Sequence, residues 1–79
     1  MIDTCGLPMK FEFRHICTHY IVDFYSVDER GFPLLINLST GKASYSNPAT
    51  RYANMIKDGT WTFLREIFDV KPVDVEDLL

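Results

Sequence analysis

Residues 11–27, read as FEFRHICTHYIVDFYSV, contain no Gly or Pro and are dense in aromatic and β-branched side chains. Such residues suit a pleated, half-buried surface, because rings and branched side chains pack well against cross-strand neighbours. A chain carrying this stretch is committed to a sheet. Read as one strand, it places Phe11, Phe13, His15, Cys17, His19 and Ile21 on one face and Ile16, Thr18, Tyr20, Val22 and Phe24 on the other. Both faces are partly apolar, and strands average about five or six residues. A break near Cys17–His19, giving two shorter strands, is equally well supported.

The rest of the chain divides at its turn residues. Asp28-Glu29-Arg30-Gly31 and Ser39-Thr40-Gly41-Lys42 supply polar residues early and Gly late, as turns require. Between them residues 32–38 form a short apolar run with Pro33 near its start, where a missing ladder donor does least harm. With residues 43–46 returning as a further strand, residues 20–46 read as an antiparallel meander. Asn47-Pro48 opens a helix, Asn capping exposed N–H groups and Pro occupying the first helical position. Ala49, Tyr52, Ala53 and Ile56 repeat at helical spacing and Asp58-Gly59 closes the element, so a helix is expected from Pro48 to Asp58.

Residues 60–70 fit two patterns. Trp61, Leu64 and Phe68 make a helical stripe, whereas Trp61, Phe63 and Ile67 suit a strand. The helix propensity of Leu64-Arg65-Glu66 favours a second helix, ended by Pro72. The expected fold is therefore α+β: an antiparallel sheet of three to four strands in the N-terminal half, packed against two C-terminal α-helices that hide its apolar face. The expectation is a single domain spanning residues 1–79, with a loosely ordered lead-in at 1–8 and a short acidic segment at 71–79.

A domain of this size buries only about 60% of the surface its unfolded chain exposes. A composition 47% hydrophobic and 14% aromatic compensates, and self-association into a homo-oligomer would add buried area. Eight Lys and Arg against eleven Asp and Glu give a formal charge of −3, and the basic residues stand singly. Direct nucleic-acid binding, which relies on clustered phosphate contacts, is disfavoured. Residues 1–10 lack a signal-peptide core, and no uncharged apolar stretch approaches the roughly 18 residues that cross a bilayer. Cys5 and Cys17 are too few for a disulfide framework, so both are expected as thiols in a soluble cytoplasmic protein with no membrane partner.

His15, Cys17 and His19 are the clustered metal-type or nucleophile-type side chains. A zinc ion would need them to converge, yet residues i and i+4 on a straight strand lie roughly 13 Å apart, against zinc bonds of about 2.0–2.3 Å. A Cys–His nucleophile would need a low-pKa thiol in a concave site, whereas free Cys usually serves as a small buried hydrophobe. Thr40-Gly41-Lys42 fails as a phosphate loop, because Ile36 stands where its first Gly belongs and Ala43 where Ser or Thr does. No cofactor and no catalytic residue is expected, and the metal set His15, Cys17 and His19 remains an alternative only.

Candidate protein-interface residues are Tyr52 and Trp61, as aromatic anchors, and the acidic Asp69, Asp74, Glu76 and Asp77, which suit a basic or nucleic-acid-binding protein partner. Phe63, Leu64, Ile67, Val70, Pro72 and Leu78-Leu79 form a helix–Pro–helix pattern that resembles the last helices of Cro-type helix-turn-helix repressors. The resemblance implies a recognition helix at Pro48–Asp58 presenting Thr50, Arg51, Asn54 and Lys57 to DNA. It departs where that family's earlier helices would fall on the hairpin-like residues 20–46. The function expected by elimination is non-catalytic binding of a protein partner in a regulatory or inhibitory role, of the kind phages and mobile elements direct against host complexes. A DNA-binding regulator is the alternative.

Overall fold

The computed structural model describes residues 4–68. The 11–27 run breaks into β1 (Lys10–His15) and β2 (Thr18–Val27), an antiparallel hairpin in which His15 pairs with Thr18 across a loop of Ile16 and Cys17. Ile16 takes a left-handed φ of 60°. A two-residue hairpin loop needs positive φ at its first central position, because that twist matches the flanking strands. A residue with a Cβ meets the requirement at a cost of about 1–2 kcal/mol.

The chain then turns back twice, through β3 (Pro33–Asn37) and the two-residue β4 (Ala43–Ser44), forming the antiparallel meander. The first turn is organised by Asp28. Its Oδ1 accepts the backbone N–H groups of Arg30 and Phe32, each at 2.9 Å, and its Oδ2 accepts Arg30 Nε at 2.9 Å and Nη2 at 2.6 Å. Burial pushes the Asp28 carboxyl upward, but the bonds from Arg30 and Phe32 outweigh it and hold the group below its ordinary pKa. Gly31, at φ 86°, supplies the left-handed step that lets the chain reverse.

One helix follows, α1 (Ala49–Lys57). Its N-terminus carries no side-chain cap: Pro48 sits at the cap position in extended conformation, and the expected capping residue Asn47 instead donates from Nδ2 to the Tyr52 hydroxyl at 3.2 Å. Gly59, at φ 86°, ends the helix, and the Trp61 N–H bonds back to the Met55 carbonyl at 3.1 Å. That return directs the chain along the free edge of β1.

Here the expected second helix is corrected. Thr62–Glu66 is a fifth strand, β5, paired antiparallel with β1, and the sheet order is β4-β3-β2-β1-β5. Among the described residues the architecture is thus one five-stranded antiparallel sheet with a single short helix, rather than three or four strands under two helices. Helix propensities differ by only a few tenths of a kcal/mol per ordinary residue, and β5 gains a full edge of hydrogen bonds instead. It also stacks Phe63 on Phe11, ring centroids 5.5 Å apart. The register shifts along the strand: Phe63 pairs with Phe13 but Arg65 with Glu12, leaving Leu64 as the extra residue of a bulge. The strand period was hidden in the sequence because the bulge sends Phe63 and Arg65 to opposite faces.

The core lies between sheet and helix: Phe11, Phe13, Val22 and Phe24 from the strands meet Ala49 and Tyr52 from α1. Phe13 is its hub, with Tyr20, Trp61 and Tyr52 rings at 5.1, 4.9 and 6.0 Å. Cys5 and Leu7, expected in a loose lead-in, pack against this cluster. Residues 1–3, and the expected helix stop and acidic segment beyond residue 68, lie outside the described residues.

Candidate functional site: the uncovered face of the sheet

Side chains alternate between the two faces of a sheet, and α1 occupies the face built by Phe11, Phe13, Val22 and Phe24. The pairings place Lys10, Glu12 and Arg14 of β1, His19, Ile21 and Asp23 of β2, Leu34 and Ile36 of β3, and Arg65 of β5 on the other face. No helix among the described residues covers it. The face is divided. Ile21, Leu34 and Ile36 give half-buried apolar surface, extended by Leu38, whose N–H meets the His19 carbonyl at 3.0 Å. Toward β1 and β5 the surface turns ionic.

Glu12 organises the ionic half. Its Oε2 accepts His19 Nδ1–H and its Oε1 accepts Arg65 Nε–H, both at 2.8 Å. An ionised carboxylate only accepts, so this contact fixes the proton of a neutral His19 on Nδ1 and leaves Nε2 as the acceptor. The His19 bond lowers the Glu12 pKa most; burial works against it, and the bond and charge of Arg65 add to the lowering. A second pair, Lys10 with Asp23 at 4.0 Å, lies beside it.

Exposure decides what a partner would meet. The Glu12 side chain is 11% exposed, whereas His19 and Arg65 are 46% and 62% exposed. Arg14, directly opposite His19, is also exposed. The carboxylates sit inside the face and the guanidinium groups of Arg14 and Arg65 outside, so the accessible charge among the described residues of this face is positive. The surroundings are neutral: four of the eleven acidic residues and one of the eight basic ones fall in residues 69–79, so residues 1–68 carry no net formal charge.

The structure separates the three residues singled out by sequence. His15 points to the helix side, its ring 6.1 Å from Trp61; Cys17 is exposed at the hairpin loop; His19 lies on the opposite face with Glu12. Among the described residues no group of three His, Cys, Asp or Glu could hold a metal ion. Tyr52 is fully buried in the core, where it serves packing, and burial pushes its phenol pKa up. Trp61 is half-buried beneath Arg51, whose guanidinium stands 5.7 Å from the ring centre. Asp69, Asp74, Glu76 and Asp77 lie outside the described residues.

Thr50, Arg51, Asn54 and Lys57 are exposed on α1. The repressor resemblance nevertheless loses its basis, because residues it reads as helix form β5. Glu12 and Arg65 escaped the sequence reading. The one available signal was a carboxylate between two core phenylalanines, Phe11 and Phe13, which announces an ion pair on the reverse face.

The described residues form open grooves. One of about 490 Å³ lies between the β2–β3 turn and the start of α1, lined by Cys5, Asp28, Arg30 and Pro48 among others. Its cation is already engaged, since Arg30 bonds Asp28 and the Tyr45 carbonyl. No described helix is long and apolar enough to cross a membrane. No protein-family model, curated protein or solved structure matches the chain.

Proposed function

We propose that the protein is a non-catalytic binding module whose working surface is the uncovered face of the sheet, acting on a protein partner in a regulatory or inhibitory role. The observation that carries this reading is the division of labour between the two faces. The helix side is consumed by the core, while the opposite side sets exposed cationic groups beside the aliphatic side chains of β3. An exposed sheet face of this kind suits a macromolecular partner better than a small molecule, which seeks an enclosed apolar pocket. The one histidine with a carboxylate partner, His19, lies in an open surface, away from the Cys17 thiol at the hairpin loop.

The test is affinity capture from the producing cells with the wild-type chain, an Ile36→Asp, Arg14→Glu variant, and a Thr50→Glu control on α1. The reading expects a stoichiometric protein that the wild type and the control retain and the face variant loses. Recovery of the chain alone, or capture indifferent to the face variant, rejects it. The variant's circular dichroism spectrum and melting temperature verify its fold.

A further inference from the structure

Ion pairs on a protein surface usually expose both members. On this sheet they do not: Glu12 is 11% exposed beneath His19 and Arg65 at 46% and 62%, and Asp23 is 16% exposed beside Lys10 at 21%. Each described carboxylate of this face is already bonded or paired, so an incoming basic group would find no free acid among them; the exposed Glu66 of β5 pairs with Phe11, in register with the helix side. An incoming carboxylate would find the Arg65 guanidinium edge not used by Glu12 and the exposed Arg14. Next to these cations the face changes character within two strands, to Ile21, Ile36 and the 46% exposed Leu38.

We infer, resting on the binding-module reading above, that the uncovered face takes an acidic, apolar-bearing segment of a partner protein. Its carboxylates meet Arg14 and Arg65, and its aliphatic side chains lie along Ile21, Ile36 and Leu38. From β5 to β3 is three strand spacings, about 14 Å at roughly 4.8 Å each. One helix, about 10–12 Å across with its side chains, spans most of that width. A nucleic-acid strand is the poorer fit, because the aliphatic half offers its bases no ring to stack on and its phosphates no charge.

The experiment uses the full chain and three probes of about fifteen residues or nucleotides: a peptide alternating Glu with Leu and Val, the same peptide with Lys for Glu, and single-stranded poly-dT. Isothermal titration at low and at physiological salt reads the affinities. The inference expects the acidic peptide to bind at least tenfold tighter than the basic one. That binding should weaken several-fold with salt and fall at least tenfold in both the Arg14→Glu, Arg65→Glu variant and the Ile36→Asp variant. Equal or preferred binding of the basic peptide overturns the charge assignment while leaving the face a binding surface. Preferred binding of poly-dT, or no binding of the acidic peptide, overturns the inference. Acidic-peptide binding that emerges only after residues 69–79 are removed also overturns it, because the site would then belong to the chain's own acidic segment. Failure of the capture experiment, by contrast, rejects the binding-module reading itself.

Discussion

Glu12 and Arg65 stand 53 residues apart in the chain and meet at 2.8 Å on the uncovered face of the sheet. The contact exists because β5 pairs with β1 in the register that sets these residues opposite each other. It ties the end of the described chain to its first strand, and it turns the guanidinium of Arg65 into part of a surface with His19. Fold and candidate function share this pair.

Acid should therefore weaken the protein through Glu12. The folded-state pKa lies below the ordinary Glu value of about 4.3. In the window between them the unfolded chain binds more protons than the folded one, so stability rises with pH. The contribution is complete above about pH 4.3 and is lost as pH falls through the lowered value. Glu12→Gln removes it: urea unfolding should show a loss of about 1–2 kcal/mol at pH 7, reduced by the exposure of Arg65 and His19, and a flatter acid limb. An unchanged acid limb in the variant would contradict the pairing.

The hairpin loop makes a prediction of opposite sign. Ile16 is 78% exposed and holds a left-handed φ of 60°, so its side chain buries little while its backbone is strained. Ile16→Gly relieves about 1–2 kcal/mol of that strain and adds about 0.5–1 kcal/mol of unfolded-state entropy. The variant should melt at a temperature equal to the wild type or a few degrees higher. A loss of more than about 1 kcal/mol would show that the loop is not the one described.

β5 can be recognised directly. Phe13 and Phe63 are antiparallel partners, and the Ile67 N–H donates to the Lys10 carbonyl at 2.8 Å. Nuclear magnetic resonance should show cross-strand contacts between the Phe13 and Phe63 backbones and slowed exchange of the Ile67 amide. Sequential helical contacts through residues 62–66 would instead restore the second helix.

Legibility in the sequence followed how local the physics was. The turns at Gly31 and Gly41, the meander between them, the break in the long β-prone run, and the helix stripe Ala49–Tyr52–Ala53–Ile56 all rest on neighbours a few residues apart, and the structure contains them. β5 rests on partners some fifty residues away and carries a bulge, so local propensity pointed to helix. The same distance hid the candidate surface. His19 was visible as a chemical residue, but its partners Glu12 and Arg65 become neighbours only after the hairpin closes and β5 docks. Alternation alone placed His15, Cys17 and His19 on one face; the two-residue loop divides them.

The central claim is that the uncovered face, and not the helix or the groove at its start, is the binding surface. Chemical-shift mapping of the isotope-labelled full chain, titrated with the acidic peptide, tests it most directly. The largest shifts are expected on Arg14, His19, Ile21, Ile36 and Arg65, with the amides of α1 staying in place. Shifts concentrated on α1, or around Cys5, Arg30 and Pro48, would contradict it.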